Sequence, residues 1–360
     1  MKKIFIIMLV TLFISCSKEI KDTETLSRVD NYKISLVAVG DNLIHEPIYV
    51  SAKTDDTYDF KSMFHNVKPY IEQFDLAFIN QETILGGSDI GLSTYPRFNS
   101  PYELGDALID TGFDLVSIAN NHTLDRGEIG VLNALNYLEN QNLIYSGAKI
   151  STKESNVKTF TKNNINFAFV AYTYGTNGIP FPEGKEYLAN VFSEEKARND
   201  LNEIKNEVDV VIVSMHWGEQ YQDLPNNIQI EQAEFLSSQG VDIILGHHPH
   251  VIQPVDVIES GDNKTFVVYS LGNFLSDQIG IDRLIGMAVS MDIVKTVSND
   301  KQTITLENIK SKLTYTYKYE DEFSILFFES INENILPNHS KYFIEKKDLI
   351  RTFFEDIDVK

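Results

Sequence analysis

Cysteine is nearly absent: the 360 residues hold one, Cys16. A disulfide framework is therefore excluded, and so is an iron–sulfur or other thiolate site needing several cysteines. Basic residues are scarce as well. Lys and Arg total 31 against 52 Asp and Glu, a formal net charge of −21. Such a surface repels nucleic acid and anionic headgroups, so no nucleic-acid partner is expected. An anionic substrate would have to be drawn by something local and positive, and a bound metal cluster would do that. Long apolar runs are also missing. The run at residues 4–14 is shorter than the roughly 20 residues a membrane-spanning helix needs. No internal repeat and no low-complexity segment is present. What is abundant is core material, since 42% of the residues are hydrophobic, enough for one large domain or two ordinary ones.

The opening "MKKIFIIMLVTLFISCSKE" places Lys2 and Lys3 before the short apolar run, then Ser15 and Cys16. This order reads as a secretory signal. A cysteine directly after the apolar run resembles the bacterial lipoprotein signal, in which that thiol becomes the lipid-bearing N-terminus. Phe13 departs from it, standing where Leu is usual. The plainer reading is a signal peptide with a chance cysteine. The expectation is a signal over residues 1–16, lipidation at Cys16, and an exported protein lipid-anchored to the bacterial cell envelope. Residues 17–31 are polar without apolar periodicity and read as a tether.

From residue 32 the chain alternates two kinds of segment. Short apolar runs at 34–40, 75–80, 114–120, 209–217 and 241–246 read as buried strands. Between them, 101–112, 128–141, 194–207 and 228–240 place apolar residues three and four apart, the helical spacing. Such alternation predicts an α/β domain with mostly parallel central strands. Three hairpins are expected later: around Asn163-Asn164, around the Gly-Asp-Asn turn at 261–263, and between 285–296 and 301–313. One domain over 32–313 would then be followed by a helical extension over 314–360, closing with an amphipathic helix at 341–357.

Polar, metal-competent residues stand just past the strand ends. They are Asp41 and His45; Asn80 and Glu82; Asn120, Asn121, His122 and Asp125; His216 and Glu219; His247, His248 and His250; Asn273 and Asp277. In open α/β sheets the strand C-termini line one crevice, where ligands bind. Taken singly, each has an ordinary explanation: Asp41 as a helix cap, Asn121 as a turn residue, His216 as a packed core histidine. Six strand ends delivering such groups together point to a site. In "GHHPH", Pro249 stiffens the loop between two imidazoles. From extended backbone, His248 and His250 share a face and His247 points away from it. The donors are nitrogen and oxygen only, which suits Zn, Mn or Fe. Six or seven of them exceed what one tetrahedral ion needs and suit a bridged pair.

The segments "GDNLIHEPIY", "NQETIL", "SIANNHTLDRGEIGVLNALNYLE", "VSMHWGEQY", "LGHHPHVIQPV" and "YSLGNF" resemble, in order, the motifs of the CapA family. These are bacterial capsule and poly-γ-glutamate biosynthesis proteins related to calcineurin-like metallophosphoesterases. The resemblance runs from about residue 34 to 274. It implies a four-layer αββα sandwich with mixed sheets and a metal centre of one or two divalent ions at the strand ends. It matches Asp41 to the first-strand aspartate, Glu82 to the bridging acid, and Asn121 and His122 to the Asn-His pair. His216 matches the isolated histidine, and His248 and His250 the closing pair. Leu43 stands where the wider superfamily has a histidine, so either His45 takes that place or the first position has a ligand fewer. The resemblance implies a role in making or exporting an anionic γ-glutamyl polymer, possible partners being other capsule-synthesis membrane proteins. It carries no reading for residues 275–360.

Two functions are expected from this. One is a metal-dependent hydrolase of a phosphoester or γ-glutamyl amide, with a hydroxide nucleophile held among Asp41, Glu82, Asn121, His122, His216, His248 and His250. His122 and His216 would act in catalysis, and Asp125 or Glu219 would orient a histidine or move a proton. The other is a non-catalytic accessory protein that binds an anionic polymer through the metal centre.

Overall fold

The computed structural model describes residues 29–204, 206–298 and 301–360. The expected signal and Cys16 lie outside them. All five apolar runs that lead the α/β pattern fall in parallel strands of two sheets. β1 (Val29–Leu43), β2 (Leu76–Gln81), β3 (Leu115–Ser117) and β4 (Ile144–Ser146) run parallel side by side. The second sheet holds β5 (Lys158–Lys162), β6 (Ile165–Thr173), β7 (Val210–His216), β8 (Ile243–His247), β9 (Val255–Ser260) and β10 (Asn263–Val268). Its order is β5-β6-β7-β8-β10-β9, with β6, β7, β8 and β10 parallel. The remaining strands extend the first sheet: β11 (Asn273–Ser276), β12 (Ile285–Ser298), β13 (Lys301–Tyr319), β14 (Glu322–Phe327) and β15 (Asp358–Val359). That sheet has nine strands and is mixed, because β12 runs antiparallel to β1.

Alternation along the strands sorts the core into layers. On β1, Leu36 and Ala38 face the second sheet and meet Phe167, Ile212 and Leu245. Val37 and Val39 face outward, against Leu104, Leu108, Leu135 and Leu138 of the helices Tyr102–Thr111 and Gly127–Asn140. Val170, Val213 and Ile244 on the far side of the second sheet pack on the helices Glu194–Ile204 and Asn227–Ser238. Helix, sheet, sheet and helix make the expected four-layer αββα sandwich. Phe78 and Phe169 bridge the two sheets edge to face, with ring centroids 5.8 Å apart. Two of the expected hairpin turns are present. Asn163 and Asn164 take φ of 47° and 58°, the doubly left-handed turn that matches strand twist, and Gly261 takes φ of 62°.

Four aspartates recur one position before a parallel strand. Asp75 accepts from the Ser35 N–H at 2.8 Å, Asp114 from Ala77 at 2.9 Å, Asp209 from Asn166 at 2.8 Å and Asp242 from Val211 at 2.7 Å. Each carboxylate thereby pairs a backbone donor of the neighbouring strand at the edge opposite the polar strand ends. Loss of water around Asp242 pushes its pKa up to about 7, and the Val211 hydrogen bond only partly opposes this. A carboxyl raised in the folded state favours its neutral form. The stability it contributes is full below about pH 4 and is lost as pH rises through 7. Asp242→Asn keeps an acceptor without the charge. Its melting temperature should vary less than wild type between pH 4 and 7 and exceed wild type at pH 8. A wild-type protein that melts higher than the variant at pH 8 would contradict this.

Three boundaries differ from the sequence reading. The tether reading reached residue 31, but β1 begins at Val29, because Val29 to Asn31 pair with Ser298 to Thr296 of β12 through backbone groups that need no apolar side chain. The expected break at 313/314 falls inside β13. The segment 314–360 is not a helical extension: β13, β14 and β15 complete the first sheet, and its long helix spans His339–Ile350 rather than 341–357. The strand expected over 301–313 is present but runs on to Tyr319 as β13.

Candidate metal centre and its cleft

The strand register carries the polar residues to one place. Asp41 on β1 stands beside Asn80 of β2 and Asn273 of β11, and His216 on β7 beside His247 of β8. Two motif glycines make this approach possible. A Cβ on Gly40 would lie 1.8 Å from the Gly272 carbonyl oxygen, and one on Gly246 would lie 2.0 Å from that of Tyr269. Only glycine allows backbones so close.

At the centre lie two groups that could each hold a metal: Asp41, Glu82 and His250; and Glu82, His216 and His248. Glu82 belongs to both. His250 Nδ1 is 3.2 Å from Asp41 Oδ2, and its Nε2 is 3.7 Å from Glu82 Oε1. His216 Nε2 is 3.6 Å from the same Glu82 oxygen and 2.8 Å from Asn121 Oδ1. Two donors each about 2.1 Å from a tetrahedral ion stand roughly 3.4 Å apart. The distances bracket that value. Glu82 is fully buried, and neither of its carboxylate oxygens has a hydrogen-bond partner. Burying an unpaired carboxylate costs several kcal/mol, so the site lacks a positive partner that a metal would supply. The residues present therefore fit a divalent metal, with Glu82 common to both groups.

The titration behaviour of the protein groups agrees. Burial, then the charges of Asp41 and Asp125, push Glu82 well above the usual carboxylate range. Burial pushes Asp41 the same way, but hydrogen bonds from His247 and His250 outweigh it and hold that carboxyl well below its ordinary value. Burial, with His248 nearby, lowers His216 well below the usual imidazole range; burial and His250 push His248 down to about 3. Neutral imidazole is the form that ligates.

The backbone of "GHHPH" is not extended. β8 ends at His247, and His248 and His250 take φ of 96° and 59°. Left-handed backbone at non-glycine residues is strained by about 1–3 kcal/mol each. The turn is held by the His248 N–H donating to Asp41 Oδ2 at 3.3 Å and by the Tyr221 N–H donating to the Pro249 carbonyl at 2.8 Å. As a result His247 does not point away. Its Nδ1 lies 3.2 Å from Asp41 Oδ1, opposite the 2.8 Å bond that Asn80 Nδ2 donates to the same oxygen. Alternation missed His247, and no pattern marked the positioning part of Asn80. Asn273, whose Oδ1 lies 3.0 Å from His250 Nδ1, was visible only as a polar residue in "SLGNF".

His122 stands apart from both metal-competent groups. Its Nδ1 is 2.7 Å from Asp125 Oδ2, a carboxylate that also accepts from the Phe98 N–H at 2.7 Å. Phe98 packs edge-on against the His122 ring, with centroids 4.7 Å apart. A cleft of about 430 Å³ opens over His122, Asp125, Asn121 and His248. His45 is also outside both groups: it packs edge-on against Phe98 and accepts from the Asp277 N–H at 3.3 Å. Burial pushes its pKa down to about 4. Glu219 is exposed on the loop after β7, away from the buried donors.

Residues 35–278, more than half of the chain, match the family described as Bacterial capsule synthesis protein PGA_cap. The chain is 35% identical over 178 residues to the PGA biosynthesis protein CapA of Bacillus subtilis (strain 168), a match covering 48% of this chain and 44% of that protein. It is 28% identical over 291 residues to the Capsule biosynthesis protein CapA of Bacillus anthracis, covering 75% and 67%. Among solved structures, the NAD nucleotidase NadN of Haemophilus influenzae is similar at 13% identity and a TM-score of 0.49, over 92% of this chain and 57% of that one. A putative 5'-nucleotidase from Staphylococcus aureus is similar at 14% identity and a TM-score of 0.41, over 86% and 58%. The match thus spans less than half of the Bacillus subtilis relative. With the family matched over most of the sandwich and its motif residues gathered at one set of strand ends, the chain belongs to the bacterial capsule synthesis protein family PGA_cap.

Proposed function

We propose that the protein is a metal-dependent hydrolase of a phosphoester or γ-glutamyl amide, acting in capsule or poly-γ-glutamate synthesis or export. The observation that carries this is the buried, partnerless Glu82 carboxylate shared by two donor groups, beside the His122–Asp125 pair at the floor of an open cleft. When bound, a divalent pair supplies Lewis-acid polarisation of the scissile group and lowers the pKa of water. Asp41, Glu82 and His250 would hold one ion, and Glu82, Asn121, His216 and His248 the other. Asn80 and His247 fix the Asp41 carboxylate through its Oδ1. Asp125, occupied with His122 Nδ1, leaves the other ring nitrogen to face the cleft, where it can give a proton to a leaving oxygen or nitrogen. Asp125 in turn is fixed by the Phe98 N–H.

The test is elemental analysis of the purified protein, followed by turnover on phosphomono- and diesters and γ-glutamyl oligomers with the metals found. Metal and polymer binding with no turnover on any of them would replace the hydrolase by an accessory binding role. Chelation should also lower the melting temperature, because an ion that binds only the folded chain stabilises it, by about 2.7 kcal/mol per site at a hundredfold excess over Kd. An unchanged melting temperature after chelation would remove the metal from the proposal.

The proposed location is the outer face of a bacterial membrane, reached through lipidation of Cys16. One acyl chain anchors only marginally, so the two or three chains of a bacterial lipoprotein are required. Cys16→Ser should leave the protein soluble after fractionation or unprocessed. A variant that is processed normally and stays in the membrane fraction would remove the lipid anchor.

A further inference from the structure

The cleft carries one cation. Arg97 stands on its wall, beside His122, with Tyr174, Asn177 and Gln220 among the other lining residues. The cleft's carboxylate is Asp125, its imidazoles are His122 and His248, and the chain as a whole carries −21.

The other arginines among the described residues are all engaged. Arg126 donates to the Ile90 carbonyl and Ser93 Oγ, and Arg351 to the Ile357 carbonyl. Arg198 donates to Gln239 Oε1, and Arg283 lies 3.6 Å over the Tyr221 ring. The Arg97 side chain has no hydrogen-bond, ion-pair or ring partner among the described residues. Its backbone, by contrast, is fixed. The Arg97 N–H donates to the Thr94 carbonyl at 3.2 Å. The next residue, Phe98, is 1% exposed and is tied to Asp125 and His122. The segment that orients the His122–Asp125 pair therefore also carries a free, forked cation at the cleft wall.

We propose that Arg97 is a specificity-determining residue that binds an oxyanion of the substrate, a carboxylate or a phosphate, next to the bond held at the metal centre. Arg97 is exposed at the cleft wall, and its guanidinium presents paired N–H donors that fit either oxyanion. The preferred substrate accordingly carries a negative group in addition to the one that reacts. The inference rests on reading the cleft as the substrate site, but it concerns binding and needs no turnover.

The experiment measures equilibrium binding to the metal-loaded full chain by calorimetry. The probes are γ-glutamyl trimer with free α-carboxylates, the same trimer as its methyl ester, and a nucleoside diphosphate. Wild type should prefer an anionic probe to the ester. Arg97→Gln should weaken that probe about tenfold or more, the size of one lost charge-assisted hydrogen bond, and leave the ester unchanged. Arg97→Lys should restore part of the loss. Whether the trimer or the nucleotide responds identifies carboxylate or phosphate as the oxyanion. Equal affinity of wild type and Arg97→Gln for both anionic probes overturns the proposal, as does a wild type that binds neither anionic probe more tightly than the ester. Hydrolysis is read separately: absence of turnover with intact Arg97-dependent binding removes the hydrolase and keeps the clamp.

Discussion

Glu82→Gln should empty both metal positions at once. Glu82 is the one residue common to the two donor groups, so its loss weakens each. Substitution of a residue that merely supports a ligand costs about 10–100-fold in affinity, and loss of a shared ligand should exceed that at both positions. Elemental analysis should then find neither ion, whereas His216→Ala and His250→Ala should each weaken chiefly the group it belongs to. Stability gives an independent readout. In metal-free protein, burial and the nearby carboxylates favour neutral Glu82. Its contribution to stability is then full below the ordinary carboxylate range and is lost as pH rises. Protons and metal compete for the same donors, so the fall in melting temperature on chelation should grow with pH in wild type. In Glu82→Gln that fall should vanish, and the metal-free variant should melt no lower than metal-free wild type at pH 8. Retention of both ions by Glu82→Gln would refute the bridged centre.

His122→Ala should do the reverse, keeping metal and losing turnover. The ring is outside both donor groups, and its Nδ1 is occupied by Asp125. Removing a positioned general acid costs about 10²–10⁴-fold in rate. Asp125→Asn should cost less, since it keeps the ring in place but no longer selects its tautomer. The loss should be smallest on substrates with good leaving groups, which need no proton. Such a leaving-group dependence is not expected if His122 only packs against Phe98. A His122→Ala protein with full turnover, or one that has lost its metal, would show that the ring has a different part.

The layers and the site were legible to different depths. Apolar runs such as 209–217 and 241–246 announced β7 and β8 because parallel strands are buried on both faces. The residues following those runs converge because the strands are parallel. That is why Asp41, Glu82, Asn121, His216, His248 and His250 could be picked out together. Legibility stopped where backbone geometry departs from the regular. His247 was set aside on an alternation that the left-handed turn at His248 cancels. His45 follows the right strand, but its ring turns toward Phe98. Arg97 lies in a loop with no periodic signal at all. The end of the first sheet was legible only in part: 301–313 was expected to pair with 285–296 and does, but β13 continues to Tyr319 and is followed by the strands β14 and β15, which no reading marked.

The four aspartates at the far edge of the sheets bear on the metal centre without touching it. Successive residues of a strand advance by about 3.3 Å and face opposite sides. If β1 slipped by one residue against β2, Asp41 would move by about the separation of neighbouring donors and would turn away from them. By tying β2, β3, β7 and β8 each to a neighbouring strand at a fixed residue, Asp75, Asp114, Asp209 and Asp242 act as the zero mark of a ruler whose other end is the donor set. The positional accuracy of the chemistry is thus set a full strand length away.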